Sequence, residues 1–309
     1  MDGRILEVEK PGRFLRIYRG FCLIEEKGTE IGRIALDDLE CVIFHSHDGL
    51  ISQQLLAELA HRGIPLVVCD SRHMPVGIYW SLSKHHLTTG RLAAQVALAL
   101  PKRKQLWQQI VRAKIQNQAT ILASLGVPHE ELKRHAQSVR SGDPENREAQ
   151  AAQIYWPRLF DTSFRRDPNL DGPNALLNYG YAILRASVVR AIVGCGLHPG
   201  FGLHHKSAED PTPLANDLME PWRPLIDIAV IQLSRLGSLE LGPQQKTYLT
   251  GVLNWDMRSI QGQSPLRLCI SRMTSSLVNI CNGESISLEI ANIPTIDDFR
   301  NNDVSHEST

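Results

Sequence analysis

The stretch that decides the fold runs from Lys104 to Leu125 and reads KQLWQQIVRAKIQNQATILASL. Its apolar side chains recur at intervals of three and four residues, the spacing that places them on one face of an α-helix. They are Leu106, Ile110, Ala113, Ile115, Ile121, Leu122 and Leu125. Gly126 follows directly, and glycine commonly ends a helix. The pattern therefore predicts one long helix whose apolar face turns toward a core.

Apolar residues also recur at helical intervals over most of the chain beyond residue 90, both before and after this segment. The predicted helices are Leu92–Leu100, Glu130–Arg140, Pro144–Trp156, Asn174–Val193, Pro213–Glu220, Leu225–Leu236, Gln244–Asp256 and Pro265–Cys281. No internal repeat or low-complexity tract is visible, which excludes solenoids and coiled coils. Residues 291–309 are polar, and we expect this tail to fray.

The amino-terminal part has a different pattern, made of short apolar runs bounded by turn residues. The predicted strands cover residues 14–18, 21–24, 32–36, 41–44 and 65–69. One helix interrupts them, because Ser52 can cap a segment that Gly63 can end. We therefore predict an α+β protein: a small, sandwich-like β domain with one helix over residues 1–80, followed by a larger all-α domain over residues 81–290.

Composition excludes several classes of protein. Charged residues make up 21% of the chain and apolar residues 42%, which is ordinary for a globular protein. The sequence has no run of about 18 apolar residues and no signal-peptide pattern, so we expect no membrane span and a cytoplasmic location. The six cysteines are dispersed without a Cys-x-x-Cys pair. This argues against a zinc knuckle or a disulfide scaffold and favours reduced thiols.

Positive charge is concentrated in one region, although the chain has 33 basic and 33 acidic residues. Residues 71–129 contain no acidic residue, but they contain Arg72, Lys84, Arg91, Lys102, Arg103, Lys104, Arg112 and Lys114. Acidic residues collect elsewhere, including the tail. This asymmetry indicates either a polyanionic partner such as nucleic acid or a solvated helix face.

Glu148 is the first candidate for chemistry. It lies in the segment DPENREAQAAQIYW, in which Asp143 followed by Pro144 predicts the start of a helix. On that helix Glu148 shares a face with Tyr155 and Leu159, so its carboxylate points toward the protein. A carboxylate in that position needs a cation or hydrogen bonds. Glu148 is therefore either a functional group or an ion-paired residue near the surface.

A histidine-containing loop is the second candidate. Residues 196–206, GLHPGFGLHHK, are rich in glycine and proline and follow a predicted helix. A neutral imidazole on a loop can act as a metal ligand or a general base, although an ordinary exposed histidine is the alternative. Adjacent side chains on an extended loop point in opposite directions, so we expect only one of His204 and His205 to face a site.

The third candidate is a pair of carboxylates. Asp217 and Glu220 are three residues apart on the helix that Pro213 is predicted to begin, so they share a face. Neighbouring carboxylates repel each other unless a cation lies between them. Arg223 could supply that charge in a structural network, and a divalent metal could supply it in a functional one.

The combined set of side chains points to metal-assisted phosphodiester chemistry. No H-E-x-x-H, G-x-x-x-x-G-K-[ST] or G-x-S-x-G motif is present. Carboxylates and one imidazole on separate elements suit Mg²⁺ or Mn²⁺ better than Zn²⁺, and the imidazole favours Mn²⁺. A basic region alongside such a site fits a nucleic-acid substrate.

Four motifs occur in one order along the helical region: NREAQAAQIYWP (146–157), NALLNYGYAIL (174–184), PGFGLHH (199–205) and NDLMEPWRPLID (216–227). Together they resemble the CRISPR-associated integrase-endonuclease of the adaptation module, the first numbered family of CRISPR-associated proteins. The segment QLWQQIVRAKIQNQA (105–119) resembles the short form encoded beside RNA-guided effector nucleases. The resemblance covers roughly residues 1–290.

This resemblance implies site residues position by position. The family's metal-binding glutamate corresponds to Glu148, its histidine to His205, and the acid before Pro-aromatic-Arg-Pro to Glu220. These three are the predicted metal ligands and catalytic residues. Asp217 occupies an acidic position that some relatives also use, and Trp222 stands where Phe is commoner. The candidates for binding duplex DNA are Lys84, Arg91, Lys102, Arg103, Lys104, Arg112 and Lys114.

The resemblance also implies partners and a reaction. Family members form homodimers largely through the β domain, and two dimers flank a dimer of the second CRISPR-associated protein in a prokaryotic cell. Double-stranded DNA, both the spacer precursor and the CRISPR repeat, is the implied substrate, and the effector nuclease is a further partner. In the implied reaction a spacer 3′-hydroxyl attacks a phosphodiester at the leader–repeat boundary, with Mg²⁺ or Mn²⁺ as cofactor.

Two other functions fit the same residues. One is a metal-dependent DNA repair nuclease that uses water as its nucleophile at the same site. The other is a non-catalytic DNA-binding scaffold, which would not require all three ligand types.

Overall fold

A computed structural model describes residues 4–44, 46, 48–69, 75–79, 88–207, 209–237, 239–259 and 262–294. The chain forms two compact units that divide after Gly90. The domain boundary predicted at residue 80, the candidate Lys84 and residues 295–309 of the tail predicted over 291–309 lie outside the described residues. The prediction of a frayed tail is wrong for residues 291–294, because Asn292 forms a β-bridge with Arg258 and Ala291 and Ile293 are buried.

The first unit contains two four-stranded sheets, with strand orders β1-β5-β7-β8 and β4-β3-β2-β6. The strands are β1 (Arg4–Val8), β2 (Arg13–Tyr18), β3 (Phe21–Glu26), β4 (Thr29–Ala35), β5 (Leu39–Phe44), β6 (Leu50–Ile51), β7 (Leu66–Cys69) and β8 (Pro75–Tyr79). The five predicted strands correspond to β2, β3, β4, β5 and β7. In the first sheet β1, β5 and β7 run parallel, whereas β8 is antiparallel to β7.

One helix completes the core of this unit. Helix α1 (Gln53–Arg62) begins and ends where the sequence predicts: the Ser52 hydroxyl accepts a hydrogen bond from the backbone N–H of Leu55 at 3.2 Å, and Gly63 has a left-handed φ of 66°. Leu55 and Leu59 are fully buried and share one apolar cluster with side chains of both sheets. The local caps and the apolar face therefore agree with the tertiary packing.

The second unit is mostly helical. Its helices are α2 (Thr88–Val96), α3 (Leu100–Ser124), α4 (Glu130–Ser138), α5 (Arg147–Leu159), α6 (Pro173–Gly194), α7 (Pro213–Met219), α8 (Arg223–Arg235), α9 (Pro243–Gly251) and α10 (Leu266–Cys281). Single 3₁₀ turns follow α7 (Glu220–Trp222) and α9 (Val252–Asn254). The chain is therefore α+β, with strands in its amino-terminal part and mainly helices in the rest.

A β-hairpin makes the prediction of an all-α second domain wrong. Strand β9 (Asp256–Ser259) pairs antiparallel with β10 (Gly262–Pro265). Helix α9 ends at Gly251, so the helix predicted over residues 244–256 is too long. The apolar spacing in this segment does not distinguish a helix from a strand. Met257 is fully buried, and it lies on strand β9 and not on a helix.

Helix α3 positions the candidate site. It begins at Leu100, four residues earlier than predicted, with Pro101 in the first turn where proline is favourable. Trp107, Ile110 and Ile115 are buried. Helix α3 packs against α4, α5, α8 and the 3₁₀ turn after α7, so one helix contacts both segments that carry a predicted carboxylate ligand.

Helix α6 forms the centre of the second unit. By length and hydropathy it could cross a membrane, but 83% of that window is buried inside the protein, as expected of a core helix. It packs against α7, α8, α9 and α10. A Cβ atom at Gly180 would clash with Cγ2 of Ile226, so the absence of a side chain lets α8 approach closely.

None of the six cysteines, all of which lie in the described residues, forms a disulfide in this structure. Cys22, Cys41, Cys69 and Cys269 are buried, and burial raises the pKa of the Cys22 thiol to about 12.

Candidate metal centre

Glu148 lies in the first turn of α5, which begins at Arg147 and not at Pro144 as predicted. Asp143 caps this end from outside the helix: its Oδ1 accepts the N–H of Arg147 at 2.9 Å and its Oδ2 that of Glu148 at 3.0 Å. Asn146 adds a second cap by accepting from Ala149. Two capping side chains therefore fix where Glu148 leaves the backbone.

Glu220 begins the 3₁₀ turn between α7 and α8. The Nδ2 group of Asn117, on α3, donates a hydrogen bond to the carbonyl oxygen of Pro221 at 2.7 Å and ties this turn to α3. Trp222 is fully buried, and the side chain of Glu220 is only 4% exposed. The carboxylate is thus held in the interior, where it needs compensating charge.

Lys114 supplies that charge and joins the two predicted ligands. Its Nζ lies 2.6 Å from Glu148 Oε1 and 2.5 Å from Glu220 Oε2. On the other side of Glu220, Arg223 Nε lies 3.0 Å from Oε1. The sequence suggested Lys114 as a DNA contact, but the structure places its ammonium group between two carboxylates.

Opposite charges in this cluster shift the pKa values of Glu220 and Lys114 toward the charged forms. Burial alone would raise the pKa of Glu220, but the charges of Arg223 and Lys114 outweigh it and lower that pKa below its ordinary value. Burial alone would likewise lower the pKa of Lys114, and the carboxylates of Glu220 and Glu148 raise it instead. The interaction is therefore a true ion-pair cluster and not a neutral hydrogen-bonded one.

Asp217 organises the histidine loop. It is fully buried, and its Oδ2 accepts the N–H groups of Leu203 at 2.6 Å and His204 at 3.0 Å. Its Oδ1 accepts the N–H of His205 at 3.2 Å and lies 2.5 Å from that residue's Nδ1. A Cβ atom at Gly202 would lie 3.0 Å from Asp217 Oδ2, so the loop wraps the carboxylate too closely for a side chain there.

The two neighbouring histidines have different surroundings. His205 turns Nδ1 toward Asp217, an arrangement in which a carboxylate orients an imidazole and leaves Nε2 for a ligand. The hydrogen bond to Asp217 raises the pKa of His205, whereas burial lowers the pKa of His204. The His204 ring stacks on Trp107 with centroids 4.2 Å apart, and the two imidazoles are nearly perpendicular at 87°.

The chemistry of these donors fits a divalent cation, although the described residues contain no ready-made group of three or more ligands. Glu148 and Glu220 already converge on one cation, the ammonium of Lys114. The Glu220 Oε2 atom is buried, and its contact with Lys114 lacks the alignment of a hydrogen bond. Two carboxylates with an oriented imidazole form a donor set typical of Mg²⁺ or Mn²⁺.

A second carboxylate cluster lies deeper in the same unit. Asp227 is buried and accepts hydrogen bonds from the hydroxyl groups of Tyr155, at 3.0 Å, and Tyr181. Burial raises the pKa of Asp227 to about 6, against the lowering effect of the two tyrosines. The Arg223 guanidinium lies 4.8 Å from the centre of the Tyr181 ring. The sequence analysis assigned no role to Tyr181 or Asp227. Two signals were available: Tyr155 lies on the same helix face as Glu148, and Asp227 lies one turn beyond Arg223.

Some of the predicted DNA-binding side chains bind the protein's own backbone. Arg112 donates to the carbonyl oxygens of Ala136 at 3.2 Å and Val139 at 3.1 Å. Arg91 donates to that of Cys195 at 2.8 Å. These guanidinium groups are structural in this conformation, and their role toward DNA stays a prediction.

The remaining candidates lie near the start of α3. Lys102 Nζ is 3.3 Å from the carbonyl oxygen of Ile286 in an exposed contact, and Lys104 is exposed. Arg103 lines a cavity of about 500 Å³ together with Phe201, His205 and Lys206. Basic side chains therefore lie beside the histidine loop, on the same unit as the carboxylates.

The chain is similar to known proteins along most of its length. Residues 6–258 match the profile of the family described as CRISPR associated protein Cas1. A relative from Neisseria meningitidis serogroup C (strain 8013), the CRISPR-associated endonuclease Cas1, is 38% identical over 280 residues, which cover 89% of this chain and 91% of the relative. A relative from Pyrobaculum aerophilum with the name CRISPR-associated endonuclease Cas1 2 is 29% identical over 74% of this chain and 81% of its own.

Solved structures share the fold. A casposase bound to integration product has a TM-score of 0.77 at 20% identity and covers 100% of both chains. A chain of a Cas6-RT-Cas1–Cas2 complex has a TM-score of 0.73 at 18% identity, covering 94% of this chain and 36% of that one. At these identities the likeness shows the fold alone.

Proposed function

The chain belongs to the Cas1 family of CRISPR-associated proteins, and from that premise we propose that it is a metal-dependent DNA endonuclease and integrase. It inserts short duplex DNA into a CRISPR array. The family resemblance in the sequence is confirmed by the matched profile and by the 38% identical relative, which is named as an endonuclease. The integration product in the casposase structure accords with this reaction class.

One observation carries the proposal: Glu148 and Glu220, from separate elements, converge on a single cation, and both interact electrostatically with the imidazole of His205, which a buried carboxylate orients. A structural ion pair does not require the histidine. The combination of the three is the donor set that phosphodiester chemistry with a divalent cation needs.

Glu148, His205 and Glu220 would hold Mg²⁺ or Mn²⁺, with His205 binding through Nε2. When bound, the ion would polarise the scissile phosphodiester and favour the deprotonated nucleophile. The chain's own part is to orient these ligands. Asp217 fixes the imidazole of His205, and Arg223 holds the Glu220 carboxylate from its opposite oxygen.

The reaction is a transesterification. The 3′-oxygen of the incoming DNA forms a bond to phosphorus at the repeat boundary, and the bond from phosphorus to the departing 3′-oxygen breaks, so that one phosphodiester replaces another. The proton of the attacking hydroxyl passes to solvent and the departing oxygen takes one up. With water as the attacking group, the same site hydrolyses DNA, which is the activity in the relative's name.

Partners follow from the family. We propose double-stranded DNA as substrate, held by Lys102, Arg103 and Lys104 through phosphate contacts that carry little sequence information. We further propose a homodimer formed through the first unit and a central dimer of Cas2, the protein present in one of the similar structures. A contact with an RNA-guided effector nuclease is part of the same proposal.

An integration assay tests this function. Purified protein, Cas2, a short duplex and a repeat-bearing plasmid are combined with Mn²⁺, using duplexes that end in a 3′-hydroxyl or a 3′-dideoxy nucleotide. We expect products joined at the repeat boundary only with the 3′-hydroxyl. Plasmid nicking without joining would favour a nuclease that uses water, and binding with neither product would favour a scaffold.

A matched set of variants links the activity to the site. Glu148→Gln should lose joining, whereas Glu130→Gln, which changes an exposed glutamate on α4, should keep it. Joining by a folded Glu148→Gln protein at the wild-type rate would refute the proposed site.

A further inference from the structure

Lys114 occupies the point on which the proposed metal ligands converge. Its ammonium group contacts one oxygen of Glu148 and one of Glu220, at 2.6 and 2.5 Å, and its side chain is 13% exposed. The three residues come from α3, α5 and the 3₁₀ turn after α7. Lys114 is therefore the group that brings these carboxylates together across three elements.

The other nearby cation does not share this position. Arg223 contacts Glu220 through the opposite oxygen, Oε1, and it lies on the same helical segment as Glu220. It can neutralise that carboxylate whether or not Oε2 has another partner. Of these two cations, Lys114 is the one that contacts both Glu148 and Glu220, so it offsets the repulsion between them most directly.

We propose that Lys114 is an exchangeable counter-ion. It holds the two ligand carboxylates in place in the metal-free protein, yields its position when a divalent cation binds, and then pairs with a phosphate oxygen of the DNA. This inference rests on the proposed metal site and adds a positioning residue to it.

Exchange follows from the distances and charges. Oxygen ligands hold Mg²⁺ at about 2.0–2.1 Å. An ion bound by the same two carboxylate oxygens would occupy the space between them, so the Lys114 ammonium group could not lie there as well. An ammonium group is also repelled by a divalent cation. Lysine has a flexible four-carbon stem, so its head can move while the buried residues Trp107 and Ile115 keep the backbone of α3 fixed.

A phosphate is the partner that the displaced charge requires. Substrate binding brings a phosphodiester anion to the site, and Lys114 stays within one side-chain length of it. Metal and DNA should therefore bind cooperatively. Metal binding displaces the ammonium group, which can then pair with the DNA phosphate, and DNA binding supplies the phosphate with which the displaced ammonium pairs. Such coupling is reciprocal between the two ligands.

Mn²⁺ binding to the full-length protein, followed by electron paramagnetic resonance of the free ion, tests the inference. Lys114→Met removes the charge but keeps a similar stem, and Lys133→Met is the matched control, since Lys133 pairs with Glu130 on an exposed face of α4. Without DNA, we expect Lys114→Met to bind Mn²⁺ about tenfold more tightly than wild type, within the usual range of coupling energies. Addition of a short duplex should tighten Mn²⁺ binding in wild type and in Lys133→Met, but much less in Lys114→Met.

The outcomes separate two failures. Unchanged Mn²⁺ affinity in Glu148→Gln would mean that the ion does not bind at the proposed site, and the proposed function would fail with it. If Glu148→Gln binds Mn²⁺ more weakly, but Lys114→Met shows unchanged Mn²⁺ affinity and an unchanged effect of DNA on it, only the role of Lys114 would be overturned.

A measurement on the unaltered protein covers the case in which Lys114→Met does not fold. Reductive methylation followed by peptide mass spectrometry reports how accessible each lysine amine is. We expect Mn²⁺ to increase labelling of Lys114 severalfold and to leave Lys133 unchanged. Labelling of Lys114 that does not respond to saturating Mn²⁺ would show that its ammonium stays in place and would overturn the inference.

Discussion

Glu220 and Asp227 lie close together in the sequence, and both are buried, at 3% and 1% exposure, yet their environments shift their pKa values in opposite directions. Two cations, Lys114 and Arg223, lower the pKa of Glu220. Asp227 is bound by two tyrosine hydroxyls, and its pKa is raised to about 6. Burial is common to both, so the type of partner decides whether a buried carboxylate keeps its charge. Glu220 contacts two cations directly, whereas the direct partners of Asp227 are two hydroxyl groups and the same cations act on it only through longer-range charge.

The largest expected effect comes from the charged carboxylates. In Glu148→Gln, metal-dependent cleavage and joining should fall by about a thousandfold or more, because a metal site supplies several kcal/mol of transition-state stabilisation. In Glu220→Gln the same loss should come with about 3 kcal/mol less stability, since breaking a buried ion pair leaves charge uncompensated. Initial rates and urea unfolding measure the two effects. Equal stability loss in both variants would contradict the difference in burial between them, 25% against 4% side-chain exposure.

The tyrosine-bound carboxylate should affect stability and its pH dependence. Asp227 has an ordinary pKa of 3.8 and a folded-state pKa of about 6. Between these values the folded protein keeps a proton that the unfolded chain has released, so the free energy of unfolding falls as pH rises through this window. The total is about 3 kcal/mol, at 1.36 kcal/mol per pKa unit.

Asp227→Asn removes this titration. The variant's stability relative to wild type should therefore improve by about that amount between pH 4 and pH 6.5, as judged by urea unfolding at several pH values. Tyr155, Tyr181, Arg223 and Lys114 face the carboxylate and are unchanged in both proteins. Parallel stability curves for the two proteins would show that Asp227 is already ionised in the fold.

The paired histidines test the same contrast between neighbours. His205→Ala should weaken Mn²⁺ binding by about 100-fold and recover part of its activity at high Mn²⁺, because it removes one ligand but no charge. His204→Ala should cost much less, since it loses ring contacts with Trp107 and His205 but no predicted metal ligand. Activity measured against Mn²⁺ concentration separates them. If His204→Ala were inactive and His205→Ala active, the metal ligand would be His204 and not His205.

The smallest effect should come from the three basic residues near the start of α3. Replacing Lys102, Arg103 and Lys104 with Ala should weaken duplex binding alike for all sequences. It should also flatten the slope of log affinity against log salt by about 0.9 per lost phosphate contact. Binding titrations at several salt concentrations measure this slope, and an unchanged slope would place these charges away from DNA.

Much of this architecture was predictable, because it depends on local signals. Ser52 and Gly63 bound α1 through short-range hydrogen bonds and backbone geometry, and the apolar spacing of α3 matches its buried face. The start of α5 was placed too early because an aspartate followed by proline is typical of a cap and first turn, whereas Asp143 caps the helix from four residues before its first residue. The actual cap is Asn146, with a left-handed φ of 53° that no local pattern signals.

The least predictable feature was the partner of the carboxylates. Lys114 lies in a region without acidic residues, and this local context suggested an outward-facing cation. Its partners, Glu148 and Glu220, are distant in sequence and meet it only because α3 packs against both of their segments. Ion pairs set by tertiary packing leave no periodic trace in a sequence.

The absent side chain at Gly202 has a consequence for when the histidine loop becomes ordered. A Cβ atom there would lie 2.5 Å from the carbonyl oxygen of His205, so any other residue would push the loop away from Asp217. With glycine, three backbone N–H groups close on one carboxylate as the chain folds. The direction of the imidazole is thereby preorganised, and the entropy of fixing it is lost during folding and not at the moment when substrate binds.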